Sequence, residues 1–331
     1  MRKTAVLLAA AMLAAILFGG CGYSKYSVTD LTVFDTVTVI TGWERSRADF
    51  DETAGRILDA LREYHRLYDI YNEYDGVNNL RTVNLAAGAA SVETDPRITE
   101  LITHARQVYD LTGGRVNAAM GSVLSLWHEA RTETLVPPDP AALAEAARHT
   151  DFGSVVIDGN TVFLADPAMS LDVGALGKGY AVEAVCSALE AEGVTGYLVN
   201  VGGNVRAIGA RGDGTPWRVA VSDPTGTETG LTLSLTGLAA VTSGTDQRYF
   251  EYGGVTYHHI IDPETLMPST RYAAVTVVSP DSGLADALST ALFNMSVEEG
   301  LALIDSLDGT EALWRLPDGS GVRSDGFGGL L

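Results

Sequence analysis

The run Ser170-Leu171-Asp172-Val173-Gly174-Ala175-Leu176-Gly177-Lys178-Gly179-Tyr180-Ala181 decides how the rest of this chain is read. A strand end, a turn with three glycines and a lysine, and a helix start follow one another. Val182, Ala184, Val185, Ala188 and Leu189 carry the helix on at helical spacing. Glycines at a strand-to-helix turn let backbone N–H groups approach a ligand, and a helix N-terminus favours anions. Lys178 adds a positive charge there, so the stretch reads as a phosphate cradle. It is neither of the familiar ones. A Walker loop needs Gly five residues before Gly177, where Asp172 stands, and Ser or Thr after Lys178, where Gly179 stands. A dinucleotide fingerprint fails at Val182. Taken alone, a tight turn with a solvated lysine explains the same residues.

Outward from this stretch, helices interrupt hairpin-like runs of strand rather than alternating with them. Upstream, Val28 to Thr41 is β-rich, and Arg47 to Tyr71 is a long amphipathic helix with Ile57, Leu58, Leu61, Tyr64, Leu67 and Tyr68 on one face. Asp95-Pro96 opens a helix that Gly113-Gly114 ends, and residues 117–130 form a third. Pro137 to Pro140 is a loop before a short Ala-rich helix. Ser154–Ile157 and Thr161–Leu164 flank Asp158-Gly159-Asn160 as a hairpin. Downstream, strands are expected at Gly196–Val201, Arg206–Ala210, Trp217–Ser222, Leu231–Leu235, Leu238–Thr242, Val255–Ile261 and Ala273–Val278. Helices follow at Ala285–Met295 and Val297–Leu307, and Glu311–Leu316 is a closing strand. The pattern predicts an α+β fold with largely antiparallel sheets and packed helices.

The 331 residues suffice for one large domain or two, and a hydrophobic fraction of 46% is ordinary for a protein with a core. The net charge is −20, and no basic stripe is visible to meet nucleic acid or an anionic membrane. Residues 1–20 read as a signal peptide: Arg2 and Lys3, an apolar run from Ala5 to Phe18, then Gly19-Gly20-Cys21. This resembles a bacterial lipoprotein signal, although Phe18 stands where leucine is usual. It implies a lipidated Cys21, a tether over residues 21–27 and a folded unit over 28–331. An ordinary cleaved signal and an uncleaved anchor are the alternatives, and all three export the protein. Cys186, the other cysteine, is expected to be buried on its helix, so no disulfide is expected.

Three distant segments agree with the Gly-Lys turn: Thr242-Ser243-Gly244, His258-His259-Ile260-Ile261-Asp262-Pro263 and Ala285-Asp286-Ala287-Leu288-Ser289-Thr290-Ala291-Leu292. With Val199 to Asn204, Tyr68 to Tyr74, Thr112-Gly113-Gly114 and Leu126-Trp127, they resemble the ApbE family of flavin transferases, from about Phe34 to the C-terminus. The resemblance implies an enzyme that splits FAD and attaches its FMN half to a threonine or serine of another protein, releasing AMP. It also implies one compact catalytic unit of α/β-roll character.

Breaking a pyrophosphate demands charge neutralisation, and a divalent cation commonly supplies it. Asp286 and Thr290, four apart at the expected start of a helix, put two oxygens on one side. As a structural feature alone, Asp286 would be a first-turn acid that favours the helix dipole. The resemblance instead makes Ala175, Asp286, Thr290 and, less closely, Ser289 the metal residues. Magnesium is expected, with calcium or manganese as alternatives. Asp172 and Lys178 are implied to contact FAD, as are Tyr71, Arg115, Val116, Asn117 and Ile260. Asn117 and Ala119 depart from the aspartate and threonine usual there. His259 is the candidate base, with Asp262 orienting it or holding the loop. His258, on the other face of the strand, is expected to be structural.

The implied partners are FAD and acceptor subunits of membrane redox complexes or other exported flavoproteins. The membrane is met only through the N-terminal lipid, on the outer face of the bacterial cytoplasmic membrane. Two alternatives use the same features: an FAD pyrophosphatase releasing FMN and AMP, and a lipid-anchored solute-binding protein.

Overall fold

The computed structural model describes residues 22–228 and 230–331, so the expected signal and Cys21 lie outside the described residues. In chain order the strands are β1 (Ser24–Asp30), β2 (Thr38–Glu44), β3 (Val92–Glu93), β4 (Val155–Asp158), β5 (Thr161–Leu164), β6 (Tyr197–Val201), β7 (Asn204–Ile208), β8 (Trp217–Ala220), β9 (Thr232–Leu235), β10 (Ala239–Gly244), β11 (Phe250–Tyr252), β12 (Val255–Tyr257), β13 (Ala274–Ser279), β14 (Glu311–Arg315) and β15 (Gly321–Arg323). The α-helices are α1 (Arg47–Tyr68), α2 (Leu80–Leu85), α3 (Pro96–Leu111), α4 (Gly121–Glu129), α5 (Pro140–Ala146), α6 (Gly177–Ala191), α7 (Ser282–Phe293) and α8 (Val297–Ile304).

Eight strands form one antiparallel sheet in the order β1-β2-β6-β7-β10-β13-β14-β15. The α+β expectation holds. The central strands β7 and β13 are buried at every residue. Side chains on a strand alternate between faces, so both faces must be covered. On β13, Val275 and Val277 enter the main core with α6 and α7. Val278 enters a second core with Trp217, Leu233 and Leu235 of the β8–β9 hairpin and Phe327. A third cluster joins Val123 and Trp127 of α4 to Leu143 of α5 and Phe250 of β11.

Helix α7 is buried almost all round, between α6 and strands β10 and β13. Its polar residues Asp286 and Ser289 are therefore taken inside and need partners there. The crossing with α6 depends on Gly179. A Cβ on that residue would stand 2.4 Å from Asp286 Cβ and 2.5 Å from the Ser282 carbonyl oxygen. This glycine admits a neighbouring helix, not a ligand as the sequence suggested.

Several boundaries differ from expectation. The β-rich stretch is a hairpin, β1 paired to β2 with Val28 opposite Ile40, and residues 24–27 of the expected tether belong to β1. Its connection has no glycine, yet Phe34 and Asp35 take φ of 51° and 49°. Helix α1 stops at Tyr68 because the Asp69 carboxylate captures the N–H groups of Tyr71 and Asn72. Helix α7 starts at Ser282, a turn early, because the Asp281 side chain caps the Leu284 N–H. The strand expected over Val255–Ile261 ends at Tyr257, and β14 is followed by β15 rather than closing the sheet.

Candidate active site

All the candidate catalytic, FAD-contacting and metal residues except Asp262 and Ser289 line one cavity of about 310 Å³. The β1–β2 connection, the end of α1, the residues after α3, helix α4, the Gly-Lys turn, the end of β10, residues 259–261 and α7 all contribute to its wall.

The Gly-Lys turn and α7 meet in an ion pair. Lys178 Nζ lies 2.9 Å from Asp286 Oδ1 and 3.1 Å from Oδ2, and the Gly179 N–H donates to Oδ2 at 2.7 Å. Asp286 is only 6% exposed and stands in the second turn of its helix. It is thus not the first-turn acid the sequence suggested, and removing it strands the Lys178 ammonium and a buried N–H. Thr290, one turn on, also faces the cavity. The adjacent Ser289 does not: its hydroxyl donates to the Asp286 carbonyl at 2.8 Å and meets Ser243 Oγ at 2.8 Å. The metal role expected for Ser289 is therefore withdrawn. Among the described residues no group of three or more His, Cys, Asp or Glu is arranged to hold a metal. One carboxylate, one hydroxyl and backbone near Ala175 form a hard, sparsely charged oxygen set. Such a set would fit a hard cation such as magnesium once the Lys178 ammonium, which here engages both Asp286 oxygens, gives way.

The two histidines divide as expected. His258 is buried; its Nε2–H donates to the Ser269 carbonyl at 2.7 Å and its Nδ1 accepts from the Ile260 N–H. His259 lines the cavity, and its Nδ1 lies 3.0 Å from the Gln247 carbonyl. A carbonyl only accepts, so Nδ1 carries the proton and Nε2 keeps its lone pair. Burial, followed by the charge of Arg248, pulls the His259 pKa down to about 4, so the ring is neutral at pH 7. Asp262 does not orient it. That carboxylate is buried and accepts from the Glu264 N–H at 2.8 Å, so it holds the turn.

The remaining expected contacts are mixed. Tyr71 is 53% exposed, past the end of α1, and its ring stacks on His128 with centroids 4.7 Å apart. It is available to a flat ligand rather than locked in the core. Asp172 accepts from the Gly174 N–H at 2.8 Å, and burial raises its pKa. Arg115 lines the cavity but pairs with Glu264 at 2.7 Å. The Asn117 amide is fully engaged with backbone: it donates to the Thr150 carbonyl and accepts from the Ala119 N–H. Its expected FAD contact is thereby reduced to lining. Val116 and Ile260 are apolar wall.

Sequence reasoning missed other wall residues, among them Phe34, His65, Arg131 and Arg248. Phe34 donates its N–H to His65 Nδ1 at 3.0 Å, which ties the left-handed connection to α1. Arg248 has φ of 46°, and Arg131 lies in a π-helical turn (Ala130–Thr134). The one available signal was the presence of arginines outside any helical pairing pattern in a strongly acidic chain.

Residues 32–314 match the sequence profile of the ApbE family. The chain is 33% identical over 322 residues to an FAD:protein FMN transferase of Treponema pallidum, covering 91% of this chain and 88% of that protein. It is 34% identical over 255 residues to an FAD:protein FMN transferase of Vibrio cholerae, with 75% of each covered. Among solved structures, the ApbE protein of Thermotoga maritima superposes with a TM-score of 0.83 at 28% identity, over 93% of this chain and 99% of that one. The flavin transferase ApbE of Vibrio cholerae gives 0.80 at 26%, over 93% and 100%.

Proposed function

Because the chain belongs to the ApbE family, and is thereby a transferase that moves FMN from FAD to protein, we propose the reaction in finer terms. The acceptor is a threonine or serine hydroxyl, AMP leaves, and a divalent cation, magnesium first, is required. The observation that carries this is a neutral histidine with a free Nε2 in the same cavity as Lys178 and Asp286.

His259 takes the hydroxyl proton at Nε2 as the acceptor oxygen forms its bond to the FMN phosphorus. The bond from that phosphorus to the bridging oxygen breaks, and AMP leaves with the electron pair. Lys178 offers its ammonium to phosphate oxygens, and the Tyr71–His128 stack offers a flat ring a platform. Asp286, Thr290 and the backbone at Ala175 would hold the cation, which when bound neutralises pyrophosphate charge. The proposed acceptors are subunits of membrane redox complexes or other exported flavoproteins. Export with a lipid on Cys21 is proposed from residues 1–21.

The test is the fate of FAD when the protein is incubated with magnesium, with and without an acceptor domain. FMN bound covalently to the acceptor is expected. Free FMN and AMP alone would make the enzyme a pyrophosphatase, and unchanged FAD would leave only a binding protein.

A further inference from the structure

Most arginines of this acidic chain are matched to carboxylates: Arg62 to Asp30, Arg97 to Asp95, Arg206 to Glu183, Arg315 to Glu228. Of the described arginines without such a partner, Arg131 and Arg248 are the ones at the cavity. Both line the cavity, and among the described residues neither has a carboxylate within ion-pair distance. Irregular backbone presents both. The π-helical turn that carries Arg131 ends at Leu135 with φ of 53°, and Arg248 itself has φ of 46°. Left-handed backbone at residues with side chains costs free energy, and it persists where the surrounding fold holds it, often at sites.

The neighbours do not neutralise the pair. Arg131 Nη2 lies 3.4 Å from His128 Nδ1, which lies 3.2 Å from the Tyr71 hydroxyl. Burial holds the Arg131 guanidinium below its ordinary pKa, and the like charge of Arg248 adds to the effect. The carboxyl facing both, Asp172, is turned to the Gly174 N–H, and burial raises its pKa. Two guanidinium groups with no carboxylate in ion-pair distance among the described residues, on the wall of a cavity in a chain of net charge −20, are placed to take an anion. Their planar forks match phosphate oxygens.

We propose that Arg131 and Arg248 form a phosphate subsite of the cavity, separate from the Lys178–Asp286 pair, that holds one phosphate of the dinucleotide. This rests on the flavin-transfer reading. The two phosphates of FAD part in that reaction, one staying with FMN and one leaving with AMP. Fixed donors on either oxygen set lower the barrier where they meet charge that grows as the bond breaks.

Calorimetric titration of the whole chain with AMP, adenosine, FMN and riboflavin tests the subsite. The parent is expected to bind at least one phosphorylated compound about tenfold or more tighter than its unphosphorylated counterpart, the scale of one charged hydrogen bond. Arg131→Gln with Arg248→Asn should remove that preference while adenosine and riboflavin binding is kept, and Arg131→Lys should restore part of it. A loss confined to AMP assigns the subsite to the leaving half, and one confined to FMN to the transferred half. Either single variant, read the same way, serves if the double variant melts early. An unchanged preference in variants that melt with the parent, or a parent without any preference, overturns the proposal. Transfer assayed on the same preparations keeps the two readings apart. Variants that transfer FMN at the parental rate sink the subsite alone, whereas a parent that never transfers FMN sinks the reaction.

Discussion

His259 concentrates the chemistry that single residues bring to this site. Its Nδ1–H is committed to the Gln247 carbonyl, which fixes the tautomer and leaves the Nε2 lone pair free for the proposed role as base. Its pKa of about 4 sets the pH dependence. A histidine in the unfolded chain takes a proton near 6.5, so the unfolded state binds more protons between that value and about 4. His259 therefore reduces stability as pH falls through this window, and below about 4 the loss is complete. As a base it stays unprotonated down to the same value. The kcat/KM for transfer is expected to stay flat from pH 7 to about pH 5, and a titration limb centred near 6.5 would contradict the half-buried, neutral ring. His258 shows how little sequence adjacency says about role. One residue away, it holds the Ser269 carbonyl and the Ile260 N–H within the core.

At the scale of elements, the site depends on how α6 and α7 cross. Gly179 has no room for a methyl group against Asp286 and the Ser282 backbone. Gly179→Ala is expected to destabilise by about 1–3 kcal/mol, the usual cost of overpacking, and to lower transfer by displacing Asp286 from the place where it would hold the cation. Gly174→Ala, on exposed backbone where a Cβ would meet only an Asp172 oxygen at 3.1 Å, is the tolerated control. Urea unfolding of both checks this, and equal midpoints would contradict the tight crossing. Elements with local signals were legible. Asp95 caps α3 as read, and most strands of the sheet fall where short apolar runs predicted them. The β1–β2 connection was not, because Phe34 and Asp35 turn the chain left-handed without glycine. Nor was the start of α7, whose cap Asp281 was overlooked. The site was legible where its residues sit in short motifs, as at Asp172 to Lys178. It was not legible for Arg131 and Arg248, which irregular backbone brings in from distant segments.

At the scale of the whole molecule, one antiparallel sheet covered on both faces carries a single cavity wall assembled from most of the chain's length. No helix among the described residues is long and apolar enough to cross a membrane. If Cys21 carries the proposed lipid, Cys21→Ser should move the protein from the membrane fraction to the soluble one. Retention of both forms in the membrane would point to an uncleaved anchor. The central claim is that His259 takes the proton of a hydroxyl that accepts FMN within this cavity. Single-turnover transfer to an acceptor domain at saturating FAD, followed by mass spectrometry, tests it most directly. The parent should add one FMN to a threonine or serine, and His259→Ala should do so about a hundredfold more slowly or worse, with FAD binding retained. Transfer at the parental rate by His259→Ala, or an acceptor left unmodified by the parent, would contradict it.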